Sequence, residues 1–298
     1  MNILALDIGG TAVKSGLFAA DGVLLQSGET PSNGYLGAGA LMAAVYQAAQ
    51  AYTGYQVIGV STAGQVDSRQ GVITYANQNI PGYTGTPLKA LLEERFHVPA
   101  AIENDGIAAA LGEGAYGAGQ YLADFICLTF GTGIGSGVIK GSRINRGPFE
   151  GDTRELGHIC LHPQGKSCAC GRLGCYEQYG SATSLIRAAK AVDSRVTDGR
   201  KLFELAAESP ELQTAVADWL DQVALGLAKI QAICPTRCLI VGGGLFDQPA
   251  LLPGLRQAFA SLAAAPAPEL RKAALGNKAG LHGAMALARA MQENKAFS

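Results

Sequence analysis

Charge is scarce in this chain. Of 298 residues only 16% are Asp, Glu, Lys or Arg, and 23 basic side chains nearly balance 24 acidic ones. No basic surplus exists to meet a phosphate backbone, so composition argues against a nucleic-acid partner. Long apolar runs are missing as well. None approaches the ~18 residues that cross a bilayer, which argues against a helical membrane protein. The opening Met1-Asn2-Ile3-Leu4-Ala5-Leu6-Asp7 carries no basic stretch and meets an acid and glycines at once, unlike a signal peptide. Cysteines number seven, an odd count, and three crowd between Cys168 and Cys175. That pattern suits a metal site in a reducing compartment better than a disulfide framework. The expectation is a soluble cytoplasmic α/β protein.

What is abundant is glycine. Forty glycines are nearly twice the usual share, without collagen period or low complexity. They imply tight turns and close approaches of backbone to ligand. Hydrophobic residues make up 48%, enough for a sizeable core. The pattern predicts strands over 3–8, 12–18 and 23–28, a helix over 37–52 and a strand over 56–61. A helix follows over 86–96, then a strand from Pro99 ending in Glu103-Asn104-Asp105, then an Ala-rich helix near 106–115. At Phe125–Phe130 the opening pattern returns. An apolar strand, the turn Gly131-Thr132-Gly133 and a second strand over 134–139 repeat the order seen around Asp7-Ile8-Gly9-Gly10-Thr11. A spacing of about 120 residues is too long for a solenoid and fits two related domains. Residues 140–180 read as irregular, and loops that long are usually functional. Helices are expected over 181–193, 200–208, 210–234 and 249–264, a strand over 237–241 running into Gly242-Gly243-Gly244, and a final helix over 280–291. This is a two-domain α/β pattern.

Three glycine turns at strand ends suit a nucleotide. Asp7-Ile8-Gly9-Gly10-Thr11-Ala12-Val13-Lys14 lacks GK[ST] and no helix follows, so it is neither a P-loop nor a dinucleotide fingerprint. Its backbone N–H groups can still face phosphate oxygens, and Asp7 can hold Mg²⁺. Thr132-Gly133-Ile134-Gly135 and Gly242-Gly243-Gly244 supply the other two turns. Three polar residues at 103–105, ending an apolar strand, cannot all be core. Asp105 reads either as an N-cap or as a base taking a proton from a hydroxyl, with Asn104 orienting the substrate. His158 with Cys168, Cys170 and Cys175 has the composition of a closed structural zinc site, with Cys160 and His162 competing for the fourth position. Glu155 and Glu177 flank the cluster and could accept hydrogen bonds from a polyol. Cys127, Cys234, Cys238 and Trp219 read as packing.

Together these segments resemble the ROK family of sugar kinases and related repressors, within the sugar kinase/Hsp70/actin fold (ribonuclease H-like). Cys168-Ala169-Cys170-Gly171-Arg172-Leu173-Gly174-Cys175-Tyr176-Glu177 fits the family signature C-x-C-G-x-x-G-C-x-E without a mismatch, and the other motifs fall in family order. The resemblance implies an α/β fold of two domains with a cleft between them: a small domain over 1–117, a larger one over 118–282, and a C-terminal helix about 283–298 packing back on the first. It implies ATP-dependent phosphorylation of the 6-hydroxyl of a hexose or N-acetylhexosamine, with Asp105 as catalytic base. Gly64, Asn104, Glu155, His158 and Glu177 would line the sugar site. Asp7, Gly9, Gly10, Thr11, Lys14, Thr132, Gly133, Gly243 and Gly244 would serve ATP and Mg²⁺, while His158, Cys168, Cys170 and Cys175 would hold structural Zn²⁺. A homodimer is common in the family.

The chain departs from the family in four places. Ala63-Gly64 replaces the frequent Pro-Gly, Ile107 a usual Asn, Arg154 a usual small residue, and Gly135-Ser136-Gly137 a triple glycine. The Ser61-Thr62-Ala63-Gly64 loop looks like that of members acting on N-acetylmannosamine, and glucose-type members fit as well. The other readings are a sugar-responsive regulator and a non-catalytic sugar binder. No basic recognition helix precedes Asp7, which speaks against the regulator.

Overall fold

A computed structural model describes residues 1–146, 155–262 and 266–293. They divide into two compact units: 1–123, 137–146 and 277–293 in one, 124–136, 155–262 and 266–276 in the other.

In the first unit β1 (Asn2–Ile8), β2 (Ala12–Ala19) and β3 (Leu24–Pro31) form an antiparallel meander. After α1 (Ala38–Gln50), β4 (Tyr55–Thr62) joins β1 in parallel. A small hairpin, β5 (Gln65–Asp67) and β6 (Val72–Tyr75), and α2 (Leu88–Phe96) lead to β7 (Ala100–Asn104), parallel to β4, and to α3 (Asp105–Tyr116). The sheet order is β3-β2-β1-β4-β7. β1 and β4 are buried on both faces, so they read as near-continuous apolar runs. Leu4, Leu6 and Ile8 pack with Leu41 and Val45 of α1. Ile3, Ala5 and Val57 pack on the other face against Leu281, Ala284 and Met285 of the last helix, Ala279–Gln292. Each fully buried aliphatic side chain contributes about 1.5–3 kcal/mol. That helix lies tight on the sheet because Gly59 has no side chain: a Cβ there would stand 1.8 Å from the Ala284 carbonyl oxygen.

The second sheet repeats the first. β8 (Phe125–Phe130), β9 (Ile134–Lys140) and β10 (Arg143–Ile144) are followed by α4 (Glu177–Gly180), α5 (Ala182–Val192), α6 (Gly199–Ala206) and α7 (Pro210–Ile233). Then come β11 (Cys238–Gly242), α8 (Leu251–Ala260), β12 (Glu269–Lys272) and α9 (Ala279–Gln292). The order β10-β9-β8-β11-β12 matches β3-β2-β1-β4-β7 strand for strand, with β8–β11 and β11–β12 parallel as β1–β4 and β4–β7 are. The doubled hairpin read in the sequence therefore reflects a doubled topology. β5, β6, β10 and β12 were not legible. β12, Glu-Leu-Arg-Lys, buries only Leu270 and has no apolar run; pairing with β11 makes it a strand.

Candidate active site

Asp7 stands at the end of β1, opposite Ser61 of β4. Gly9-Gly10-Thr11 turns the chain into β2, with Gly9 N–H donating to the Ala12 carbonyl at 2.9 Å. Buried Ser32 braces the turn, its hydroxyl donating to the Gly10 carbonyl at 2.6 Å and its N–H to the Thr11 carbonyl at 3.0 Å. Gly10 has open space where a side chain would be, so backbone alone faces outward there. Ser61 Oγ donates to Asp7 Oδ1 at 2.8 Å. Burial pushes the Asp7 carboxyl above its ordinary value, against the Ser61 bond and the charge of Lys14. An oxygen donor of this kind suits the hard cation Mg²⁺. Lys14 Nζ donates to the Asn277 carbonyl at 3.1 Å and so ties the segment leading into α9 to the sheet.

The three polar residues at 103–105 have three different fates. Glu103 is fully buried, although it ends an apolar strand beside two polar residues, and its charge is met by Arg146. Burial raises its pKa, while the Arg146 charge and hydrogen bond and the Asn104 N–H lower it. Asn104, not Asp105, is the N-cap of α3: its Oδ1 accepts from Gly106 N–H at 2.9 Å and Ile107 N–H at 3.3 Å. Its Nδ2 donates to the Gly64 carbonyl at 2.9 Å and to Asp105 Oδ1 at 3.0 Å. Gly106 N–H adds a second donor to Asp105 Oδ1 at 2.8 Å. Asp105 itself is exposed. The result is a fixed, accessible carboxylate on the first turn of a helix. Gly64 takes φ +96°, and a Cβ there would meet the Tyr75 carbonyl at 2.7 Å, so only glycine fits at the position whose own carbonyl accepts from Asn104.

In the second unit the Thr132-Gly133 turn rests on Glu177. Ile134 N–H donates to Glu177 Oε2 at 3.1 Å, and a Cβ at Gly133 would stand 2.1 Å from that oxygen. Glu177 is therefore no solvated surface charge. Gly243 takes φ +108° with the Phe130 carbonyl pressed where a Cβ would be. A cavity of about 1170 Å³ opens here, lined by Gly131 and Thr132 on one side and by Gly244 and Leu245 on another. Phe203 gives it an apolar wall and Arg187 a cation. The volume is ample for a nucleotide-sized ligand. Two of the glycine turns read in the sequence thus share one cavity.

Glu155 precedes a turn of 3₁₀ helix, Leu156–His158, and its Oε2 lies 3.9 Å from His158 Nε2. The other ring nitrogen, Nδ1, is 3.5 Å from Cys168 Sγ, and Cys170 Sγ is 3.5 Å from Cys175 Sγ. The ligand atoms of His158, Cys168, Cys170 and Cys175 all fall within 4.8 Å of one another. Sulfurs on a tetrahedral zinc at ~2.3 Å are separated by ~3.8 Å, so the set fits that ion. Cys160 and His162 are outside it. Cys160 is exposed, and His162 Nε2 is paired with Gln222 Oε1 at 2.6 Å. The knot closes because Gly174, at φ +70°, lets the His162 carbonyl approach within 1.7 Å of where a Cβ would sit. Burial opposes ionisation of Cys170, but hydrogen bonds from Arg172 and the neighbouring thiols hold it at about 6.

The sequence profile of the ROK family matches residues 3–291. This chain belongs to the ROK family. It is 33% identical to the glucokinase of Streptomyces coelicolor, over 96% of this chain and 97% of that one. It is 31% identical to the N-acetylmannosamine kinase of Shigella boydii serotype 18, over 97% and 98%. A ROK glucokinase from Streptomyces griseus, solved in complex with glucose and AMPPNP, superposes with a TM-score of 0.85 at 31% identity, covering 97% of this chain and 99% of that one. The fold is accordingly the actin-like two-domain fold of the ROK sugar kinases.

Against that family pattern the departures have local explanations. Ala63 N–H donates to the Ile8 carbonyl at 3.1 Å, a bond that a proline could not make. Ile107 is buried in the core of α3. Ser136 Oγ accepts from Leu156 N–H at 3.0 Å and so steadies the segment beginning at Glu155. Arg154 lies outside the described residues.

Proposed function

We propose that this protein is an ATP-dependent sugar kinase that transfers the γ-phosphoryl group to the 6-hydroxyl of a hexose or N-acetylhexosamine. The observation that carries the reading is the Asp105 carboxylate, exposed at the start of α3 with Oδ1 fixed by Asn104 Nδ2 and Gly106 N–H. Asp105 takes the hydroxyl proton as the oxygen attacks the γ-phosphorus. The bond from that phosphorus to the bridging oxygen breaks, and ADP leaves with the electron pair. Phosphoryl transfer of this kind is positioning and charge neutralisation more than covalent chemistry by the protein.

Gly9, Gly10, Thr11, Thr132 and Gly133 offer backbone and hydroxyl groups to the phosphates, and Gly243 and Gly244 admit the adenosine side. Asp7, and Lys14 beside it, serve the metal and phosphate end, where Mg²⁺ supplies charge neutralisation when bound with ATP. Gly64, Glu155, His158 and Glu177 contribute to the sugar site. Asn104 acts there mainly through Asp105, because both amide hydrogens are already engaged. His158 divides its ring, Nδ1 toward the thiols and Nε2 toward Glu155. Zn²⁺ at His158, Cys168, Cys170 and Cys175 supplies a closed structural crosslink that fixes this histidine.

Glucose and N-acetylmannosamine are the two acceptors that the named relatives point to. The test is ADP release from a panel of hexoses and N-acetylhexosamines, run with the wild type and Asp105→Ala. The variant is expected to keep ATP and sugar binding and lose turnover by at least 10²-fold. Wild-type turnover in the variant refutes the assignment.

A further inference from the structure

Asp7 is enclosed by residues from outside its own Asp7–Lys14 segment. Ser61, fully buried on β4, donates its Oγ hydrogen to Asp7 Oδ1 at 2.8 Å. On another side lies Gly280, in the first turn of α9. A Cβ at that position would stand 2.6 Å from Asp7 Oδ1, 2.8 Å from Cγ and 2.9 Å from Oδ2. The carboxylate thus lies directly against a bare Cα. α9 is itself held at this end, since Lys14 Nζ donates to the carbonyl of Asn277 just before it. Oδ2 accepts no hydrogen bond from any described residue.

We propose that Ser61 and Gly280 are positioning residues that hold the Asp7 carboxylate in the single orientation in which it serves the metal–nucleotide complex. The proposal rests on the reading of Asp7 given above. A carboxylate side chain at a strand end has several rotamers, and its torsion to the carboxyl plane is broad. Here one oxygen is pinned by a hydroxyl that is itself fully buried. The plane is confined by the α9 backbone, which permits the approach because residue 280 has no side chain. One oxygen is consumed by the protein, and the other is left for the ligand. The same β4 end continues into Ala63 and Gly64, which bond to the Ile8 carbonyl and to Asn104. The segment 61–64 therefore fastens the Asp7 strand and the Asn104 cap at once. Partners that orient a metal-serving carboxylate change metal affinity or activity by about 10–100-fold when removed.

The experiment compares Ser61→Ala, Gly280→Ala and Asp7→Asn in the full-length enzyme. Two quantities are read: the Mg²⁺ concentration for half-maximal rate, and the calorimetric affinity for a nonhydrolysable ATP analogue with and without Mg²⁺. Melting temperature and the KM for sugar report on general damage. Ser61→Ala and Gly280→Ala are each expected to raise the Mg²⁺ requirement about tenfold. Both should weaken the Mg²⁺-dependent part of analogue binding and leave the metal-free affinity and sugar KM near wild type. Ser61→Thr, which keeps the hydroxyl, should recover most of the loss. If Asp7→Asn shifts the metal dependence while Ser61→Ala and Gly280→Ala do not, the positioning proposal is overturned and the role of Asp7 stands. If Asp7→Asn leaves the metal dependence unchanged, the reading of Asp7 itself is wrong. A uniform loss of metal-free analogue and sugar affinity in Ser61→Ala would mark a purely structural residue and also overturn the proposal.

Discussion

Replacing Asn104 by alanine removes four bonds together: two to the first N–H groups of α3, one to the Gly64 carbonyl and one to Asp105 Oδ1. Losing the cap costs about 1 kcal/mol of stability. Losing the bond to Asp105 frees the proposed base to turn, and misplacing a catalytic group by about 1 Å costs on the order of 10²-fold in rate, or roughly 2.7 kcal/mol. Asn104→Asp separates the two effects. Aspartate caps a helix about as well as asparagine, so the variant keeps most of the stability. It cannot donate to Gly64 or Asp105, and it sets one carboxylate against another. We therefore expect Asn104→Ala to lose both stability and turnover, and Asn104→Asp to lose turnover by at least as much while melting closer to wild type. Urea or thermal melting gives the first quantity and steady-state ADP release at saturating substrates the second. Asn104→Asp turning over within twofold of wild type would show that the amide does not orient the base. So would Asn104→Ala losing rate only in proportion to its unfolded fraction.

Cys170→Ala should lose bound zinc, measured by a chelator-dye assay, and raise the KM for sugar as His158 loosens. A zinc-free variant with full activity contradicts the structural role. Arg146→Met strands the buried Glu103 carboxylate, and breaking such a pair costs about 3–5 kcal/mol. The sign with pH follows from the raised pKa of Glu103, caused first by burial and opposed by Arg146. A raised carboxyl contributes stability that is present below its unfolded value of about 4.3 and lost as pH rises through the folded value. The variant should therefore lose most stability relative to wild type above that value and least in acid. Urea midpoints across pH 4 to 8 that run parallel for both proteins would refute this account.

Much of the arrangement was readable from residues alone. Glycine turns between apolar strands at 9–11 and 131–133 announced two hairpins, because only small residues make such turns between runs that must be buried. The Cys168–Cys175 spacing announced a ligand set, because no core needs three thiols in eight residues. The burial of Glu103 was illegible, since its cation, Arg146, lies more than forty residues along the chain. So was the cap: the sequence offered Asp105 for that role, and only the backbone geometry at the end of β7 gives it to Asn104. His158 could not be chosen over Cys160 and His162 by spacing, because Gln222, far along on α7, is what occupies His162.

Residue order alone carries the class of fold, the strand-end turns and the chemical inventory. Periodicity, glycine placement and donor type are local properties that survive without contacts. Which members of that inventory meet depends on how the chain packs. It set Ser61 against Asp7 across two parallel strands and brought Gly280 to the same carboxylate from near the end of the chain. It also assigned Glu177 to the Thr132-Gly133 turn. Hydrogen bonds act over about 3 Å whatever the separation in sequence, so these partnerships exist only once the sheets and helices have packed.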